Sequence, residues 1–205
     1  MDATATRLMM GAAGLSGDSP VEYVTTSATG NVTSSSNRTL TLTGLSAGDV
    51  VIGMISNRSS SAPATSSGYI SITTNTAGFF GNYISIRLQY KVVTGSSETM
   101  SWLGYGGLAV AYRNFTGIGQ VGNYSSIFPT SSVPTPAMSS LDTSGRGLVF
   151  VVTYAIGVIN SISSPYTVRF NTWGAAANNT LSSISSKTMG LSALVYPVST
   201  AIEIL

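Results

Sequence analysis

Ile84-Ser85-Ile86-Arg87-Leu88-Gln89-Tyr90-Lys91-Val92 is the stretch that decides the fold, because apolar and polar residues alternate strictly along it. A period of two places successive side chains on opposite faces of an extended chain, so this segment reads as a strand with one buried and one wet face. The same alternation occurs in Thr39-Leu40-Thr41-Leu42-Thr43, in Tyr69-Ile70-Ser71-Ile72-Thr73 and in Tyr166-Thr167-Val168-Arg169-Phe170. Three further runs are apolar nearly throughout: Val50-Val51-Ile52-Gly53-Met54-Ile55, Leu108-Ala109-Val110-Ala111-Tyr112 and Leu148-Val149-Phe150-Val151-Val152. Each is strand-length and bounded by Gly, which predicts strands covered on both faces or lying at a subunit contact.

Turn signals separate these runs at Gly48-Asp49, Ser66-Ser67-Gly68, Gly78-Phe79-Phe80-Gly81-Asn82, Thr94-Gly95-Ser96 and Gly106-Gly107. Strands at such spacing predict an all-β protein, an antiparallel β-sandwich of the jelly-roll type. One segment, Ala175-Ala176-Ala177-Asn178-Asn179-Thr180-Leu181, has the composition of a short helix or a loop.

Outside the strands, residues 1–20 are small and Gly/Ala-rich and end at the turn-forming Gly17-Asp18-Ser19-Pro20. They read as an extended N-terminal arm, either frayed or ordered against a neighbouring subunit, ahead of one domain over 21–205. Leu8-Met9-Met10-Gly11-Ala12-Ala13-Gly14-Leu15 has the look of a short signal h-region, but Asp2 precedes it and only Arg7 supplies positive charge. No stretch approaches the roughly twenty apolar residues of a membrane span, so no membrane partner is expected.

A weak internal echo relates the halves. Leu45-Ser46-Ala47-Gly48-Asp49-Val50-Val51-Ile52 resembles Leu141-Asp142-Thr143-Ser144-Gly145-Arg146-Gly147-Leu148-Val149-Phe150, and 107–112 resembles 190–196. Two pseudo-related halves of one jelly roll, joined near 128–137 through a Pro-rich loop, or two tandem sandwiches would both produce it. The single jelly roll is preferred, since each half is short for a self-sufficient sandwich.

Charged residues are 8% of the 205, the net charge is +2 and Ser and Thr make up roughly a quarter or more, so the surface is polar without being charged. The nine Lys and Arg are scattered singly, and without a basic stripe nucleic acid is not an expected partner. There is no Cys and no His. That inventory removes thiol chemistry and thiolate or imidazole metal sites, and it leaves general acid–base work to the seven carboxylates. Asp49 and Asp142 precede strands and read as turn caps, Lys91 reads as a solvated lysine on a wet face, and no Asp-rich calcium loop is present. No catalytic, cofactor or metal site is predicted.

Aromatic side chains carry the binding potential: Phe79, Phe80, Tyr83, Trp102, Tyr105, Tyr124, Tyr166 and Trp173 can stack on sugars or anchor an interface. Trp173 shares a strand face with Arg169 and Asn171, which marks it as exposed. Phe79-Phe80, flanked by glycines, reads as an apolar tip. Candidate partner contacts are therefore Arg7, Leu8, Met9, Met10, Phe79, Phe80 and Trp173.

The order of pieces, from Leu42-Thr43-Gly44-Leu45-Ser46-Ala47-Gly48-Asp49-Val50-Val51-Ile52 through a loop with Pro63, Arg87–Thr99, Leu108–Phe115, and then Thr135-Pro136 to Gly147–Val152, resembles a recurrent β-sandwich module of tailed-bacteriophage virion proteins. The small-residue arm is similar to the N-termini of phage tail and fibre proteins. Where that module carries Gly-Trp after the proline loop, this chain has Gly68-Tyr69. The resemblance implies a non-enzymatic virion structural protein made in the host cytoplasm and placed on the particle exterior. Two roles fit it: a head decoration or cement protein bound to capsid proteins as a homo-oligomer, with a trimer favoured, or a tail-fibre or adhesin module that binds host-surface glycan.

Overall fold

The computed structural model describes residues 20–29, 34–79, 81–126, 130–134, 136, 146–153, 159–161, 167–171, 174–179, 188–195 and 197–205. Among them every regular element is a strand. The chain-order strands are β1 (Glu22–Ala28), β2 (Ser36–Thr43), β3 (Val50–Asn57), β4 (Ile70–Phe79), β5 (Asn82–Val92), β6 (Ser97–Gly104), β7 (Gly106–Arg113), β8 (Ile118–Ser125), β9 (Thr130–Pro134), β10 (Arg146–Thr153), β11 (Ile159–Ser161), β12 (Thr167–Asn171), β13 (Gly174–Asn179), β14 (Thr188–Val195) and β15 (Pro197–Ile204). All pair antiparallel, and the protein is an all-β sandwich.

The strand order repeats. The first five-stranded sheet runs β1-β7-β3-β5-β4 beside a pair β2-β6, and the second runs β8-β15-β10-β13-β12 beside a three-stranded β9-β14-β11. Strand for strand, β1 to β7 and the later strands trace one path twice, with β11 added where the first repeat has the irregular segment 58–69. The boundary between repeats falls at 114–117, between β7 and β8, instead of near 128–137. The Pro-rich stretch leads into and through β9, inside the second repeat. The echo of 45–52 in 141–150 matches β3 with β10, which the strand order also equates. The echo of 107–112 in 190–196 matches β7 with β14, whereas the strand order equates β7 with β15.

The two five-stranded sheets stack on one core. Val50, Ile52 and Met54 of β3, Ile84, Ile86 and Leu88 of β5, and Leu108, Val110 and Tyr112 of β7 meet Val198, Ile202 and Ile204 of β15. The other face of the first sheet carries Val51, Ile55, Ala109 and Ala111, packed under Leu40 and Leu42 of β2 and Met100 and Trp102 of β6. β3 and β7 are thus buried on both faces, which is why their sequences are apolar throughout. A Cβ on Gly53 would collide with Met100 Sδ, and one on Gly107 with the Trp102 ring. Gly106 and Gly107 therefore open β7 instead of forming a turn, and Tyr105 alone makes the connection to β6.

Two further expectations are corrected. Ala175-Ala176-Ala177 lies in β13, between β10 and β12, because cross-strand pairing on both edges overrides the helix preference of alanine. The face of β5 expected to be wet is covered: Ser85 and Gln89 are buried, and Arg87 and Lys91 are half-buried. The segment 58–69 lies across them. Ser85 Oγ donates to Ser59 O, Arg87 Nε to Pro63 O at 2.6 Å, and Gln89 Nε2 to Ser66 Oγ at 2.7 Å, while Ser66 N donates to Gln89 Oε1 at 2.8 Å.

The repeats are also tied by polar contacts along one seam, β4 against β8 and β15. Asn75 Nδ2 donates to Tyr124 O at 2.9 Å and to Ser199 O at 3.3 Å, and Asn123 Nδ2 donates to Thr73 Oγ1 at 3.0 Å. At the repeat boundary, Asn114 adopts a left-handed φ of 62° and its amide donates to Pro20 O at 3.0 Å. Asn tolerates that conformation better than other side-chain-bearing residues.

Candidate interaction surface

The pair β2–β6 presents an exposed outward face. Its inward residues Leu40, Leu42, Met100 and Trp102 are buried, so parity turns Asn37, Thr39, Thr41 and Thr43 outward opposite Leu103, Ser101, Thr99 and Ser97. All eight are exposed. The face holds no charge; it carries six hydroxyls with the Asn37–Leu103 pair at one end, and Thr41 and Thr99 share a hydrogen bond of 2.9 Å between their hydroxyl oxygens. This is the uncharged Ser/Thr polarity of the composition gathered on one face.

At the far end of the sandwich β4 and β5 form a tight hairpin whose last pair is Phe79 with Asn82. Gly78 and Gly81 have φ of 122° and 83°, values that only glycine adopts without strain. The glycines of the Gly78-Phe79-Phe80-Gly81 stretch are therefore required by the turn. Gly78 N donates to Ser126 O at 3.2 Å, fixing the tip against the end of β8. The backbone of Phe79 is at this tip; Phe80, Arg7, Leu8, Met9, Met10 and Trp173 lie outside the described residues.

The other aromatic candidates divide. Trp102 is core, clamped between Gly104 and Gly107. Tyr105 is half-buried, with the Arg58 guanidinium 5.1 Å from its ring centroid, a cation–π contact at the β6–β7 connection. Tyr83 and Tyr124 are half-buried, and Tyr166 lies outside the described residues.

Three described acidic side chains, Asp49, Glu98 and Glu203, make structural contacts. Asp49 is buried, accepts from Ser46 N at 2.8 Å and holds Arg113 through Nε and Nη2 at 2.9 Å each, so it closes the turn before β3 as its position predicts. That carboxylate, by hydrogen bond and charge, raises the Arg113 pKa. Glu203 is buried and accepts from Gln120 N at 3.0 Å. Glu98 pairs with Lys91 at 2.9 Å across the 93–96 turn, which carries the chain from the five-stranded sheet to the β2–β6 pair, and Lys91 Nζ lies 5.8 Å from the Tyr69 ring centroid. Lys91, expected to be freely solvated, is thus paired. Burial, with Glu98 next to it, pushes the Tyr69 hydroxyl above its ordinary range. The residues flanking the 93–96 turn belong to different sheets, so no hairpin pairing rule reveals the Lys91–Glu98 pair from sequence.

Among the described residues no helix is long and apolar enough to cross a membrane, and no group of carboxylates is arranged to hold a metal. Comparison with known proteins gives no matching family model, no matching curated protein and no matching solved structure.

Proposed function

We propose that the chain is a structural protein of a tailed-bacteriophage particle, a head decoration or cement protein made in the host cytoplasm and carried on the capsid exterior. The observation that carries this reading is the β2–β6 face, an exposed, charge-free, hydroxyl-rich surface backed by the buried cluster of Leu40, Leu42, Met100 and Trp102. A surface of that kind suits packing and covering, where ionic groups would have to be stripped of water on docking.

The path of each repeat supports the tandem alternative, two jelly-roll sandwiches in sequence, over one jelly roll made of both halves. First strand pairs with last, last with third, third with fifth, and second with sixth, as in the two interleaved sheets of a jelly roll. On this reading β11 is the extra strand that 58–69 replaces in the first repeat. The arm and one face make the capsid contacts, and packing on a symmetric lattice favours a trimer.

The test is to add the purified chain to capsids that lack it and to weigh it in solution. Stoichiometric binding at symmetric lattice positions, in a low-resolution particle map, is the expected result. A chain that stays monomeric and leaves such capsids bare defeats the proposal. The glycine-bounded β4–β5 tip favours a second reading, a tail-fibre or adhesin module that takes host-surface glycan through Trp173, Tyr166 or the Phe79-Phe80 loop. A blank glycan array, or host binding unchanged by Trp173→Ala, removes it.

A further inference from the structure

Four large apolar side chains are exposed among the described residues, and three of them converge: Ile70 at 40%, Val92 at 46% and Val121 at 42%, with Leu103 at 63% alone on the β2–β6 face. Register puts the three on the inner face between the stacked sheets. Val92 pairs with the core residue Val50, Ile70 with Tyr90, and Val121 with the core residue Ile202. β4 and β8 run side by side through the Thr73–Asn123 contact, so Ile70 and Val121, each a few residues upstream, sit across from one another at the same end. Ile72, Tyr90, Phe115 and Ile118, half-buried against the core, continue the lining, and Phe115 packs on Tyr90 with ring centroids 5.7 Å apart. The two repeats leave an apolar mouth between them at the end where β5 stops and β8 starts.

The chain ahead of β1 arrives beside this mouth. Val21 is in the shared core, and Pro20 O accepts from the amide of Asn114, the neighbour of Phe115. From β1 to β5 there are three strand spacings, about 14 Å, and five extended residues reach about 17 Å, so Leu15 can stand over Val92. A further five to seven residues can span about 17–23 Å, more than the one strand spacing from β5 to β4, so Leu8, Met9 and Met10 reach Ile70 and Val121 with chain to spare. The uncharged run Leu8-Met9-Met10-Gly11-Ala12-Ala13-Gly14-Leu15 matches an apolar groove, and its glycines and alanines permit close approach. Tethering makes the local concentration of the arm on the order of millimolar, far above that of any second copy in dilute solution.

We propose that in the unassembled chain the segment Leu8–Leu15 docks in cis into the mouth lined by Ile70, Tyr90, Val92, Phe115 and Val121. This stands apart from the virion assignment and concerns the free protein alone.

The chain has no cysteine, so single thiols report without background. Val92→Cys and Leu103→Cys are made in the full chain, in a chain starting at Gly17, and in a full chain carrying Leu8→Asp and Met10→Asp, and maleimide labelling is timed. The expected result is Val92→Cys labelling at least about tenfold slower in the full chain than in either arm variant, with Leu103→Cys equal in all three. Equal Val92→Cys rates overturn the proposal. Protection that strengthens with protein concentration overturns it too, because the arm would then come from a second copy. Both cysteines replace exposed side chains, and far-ultraviolet circular dichroism of each variant matching the parent establishes that labelling is read on folded protein.

Discussion

The two faces of the β1-β7-β3-β5-β4 sheet are built by opposite means. The inner face is apolar from β1 to β5, gives way to Thr73 and Asn75 only on the edge strand β4, and is closed by β15 of the other repeat. The outer face mixes Val51, Ile55 and Ala111 with Gln89, Ser85, Arg87 and Lys91, and is closed by β2–β6 together with the polar segment 58–69. Apolar burial is non-directional, so the inner face tolerates any partner of suitable shape. Buried polar groups must each find a partner, so the outer face fixes where one particular segment lies. One face supplies adhesion between repeats; the other supplies definition within the first repeat.

The largest effect is expected on the inner face. Leu108→Ala removes a fully buried side chain from the core that both repeats share, and should cost about 2–5 kcal/mol. Because the core is common, denaturant titration followed by tryptophan fluorescence and by circular dichroism should give coincident single transitions for parent and variant. Two separated transitions would mean that the repeats are held more loosely than the shared core implies, and the contrast between the faces would fail.

A smaller loss is expected on the outer face from Gln89→Leu. The leucine is close in size, but Ser66 N loses its acceptor and Ser66 Oγ its donor while both stay covered, a cost of about 1–3 kcal/mol. Hydrogen exchange separates this from a packing defect: the Ser66 amide should exchange faster while the amides of β3 keep their protection. Uniform acceleration throughout the sheet would show that the polar face adds adhesion only.

The same contrast explains what could be read in advance. β3 and β7 announce themselves because a strand covered twice is apolar at every position. The parity of β5 is equally legible, but its exposure is not: nothing in 58–69 marks it as a cover, since its contacts are main-chain carbonyls and serines that any loop possesses. β15 is hidden for a related reason. Val198-Ser199-Thr200-Ala201-Ile202-Glu203-Ile204 is buried throughout, yet its Ser, Thr and Glu mimic a half-wet edge. Ser199 is buried by donating to Pro134 O at 2.7 Å, a partner 65 residues away that no local pattern reveals. The Asp49 turn cap and the Gly78–Gly81 turn follow from local rules. The apolar mouth depends on how two distant repeats stack.

The smallest effect tests the electrostatics of the outer face. Tyr69 is buried there beside Glu98, and both influences hold its hydroxyl protonated to higher pH than in the unfolded chain, where it ionises near 10. Between those two values the unfolded state carries fewer protons than the folded one, so stability falls as pH rises through this window. Tyr69→Phe keeps the ring and removes the titrating group. Near neutral pH the variant should match the parent within roughly 0.5 kcal/mol, since a hydroxyl is lost without leaving a new unpaired partner. Denaturation midpoints at about pH 8 and about pH 11 should then converge further for the variant than for the parent. An unchanged alkaline decline would assign the loss to other tyrosines and remove Tyr69 from the polar network. A decline that shrinks for Tyr69→Phe but leaves the inner-face variant Leu108→Ala falling as steeply as the parent places the pH sensitivity on the outer face alone.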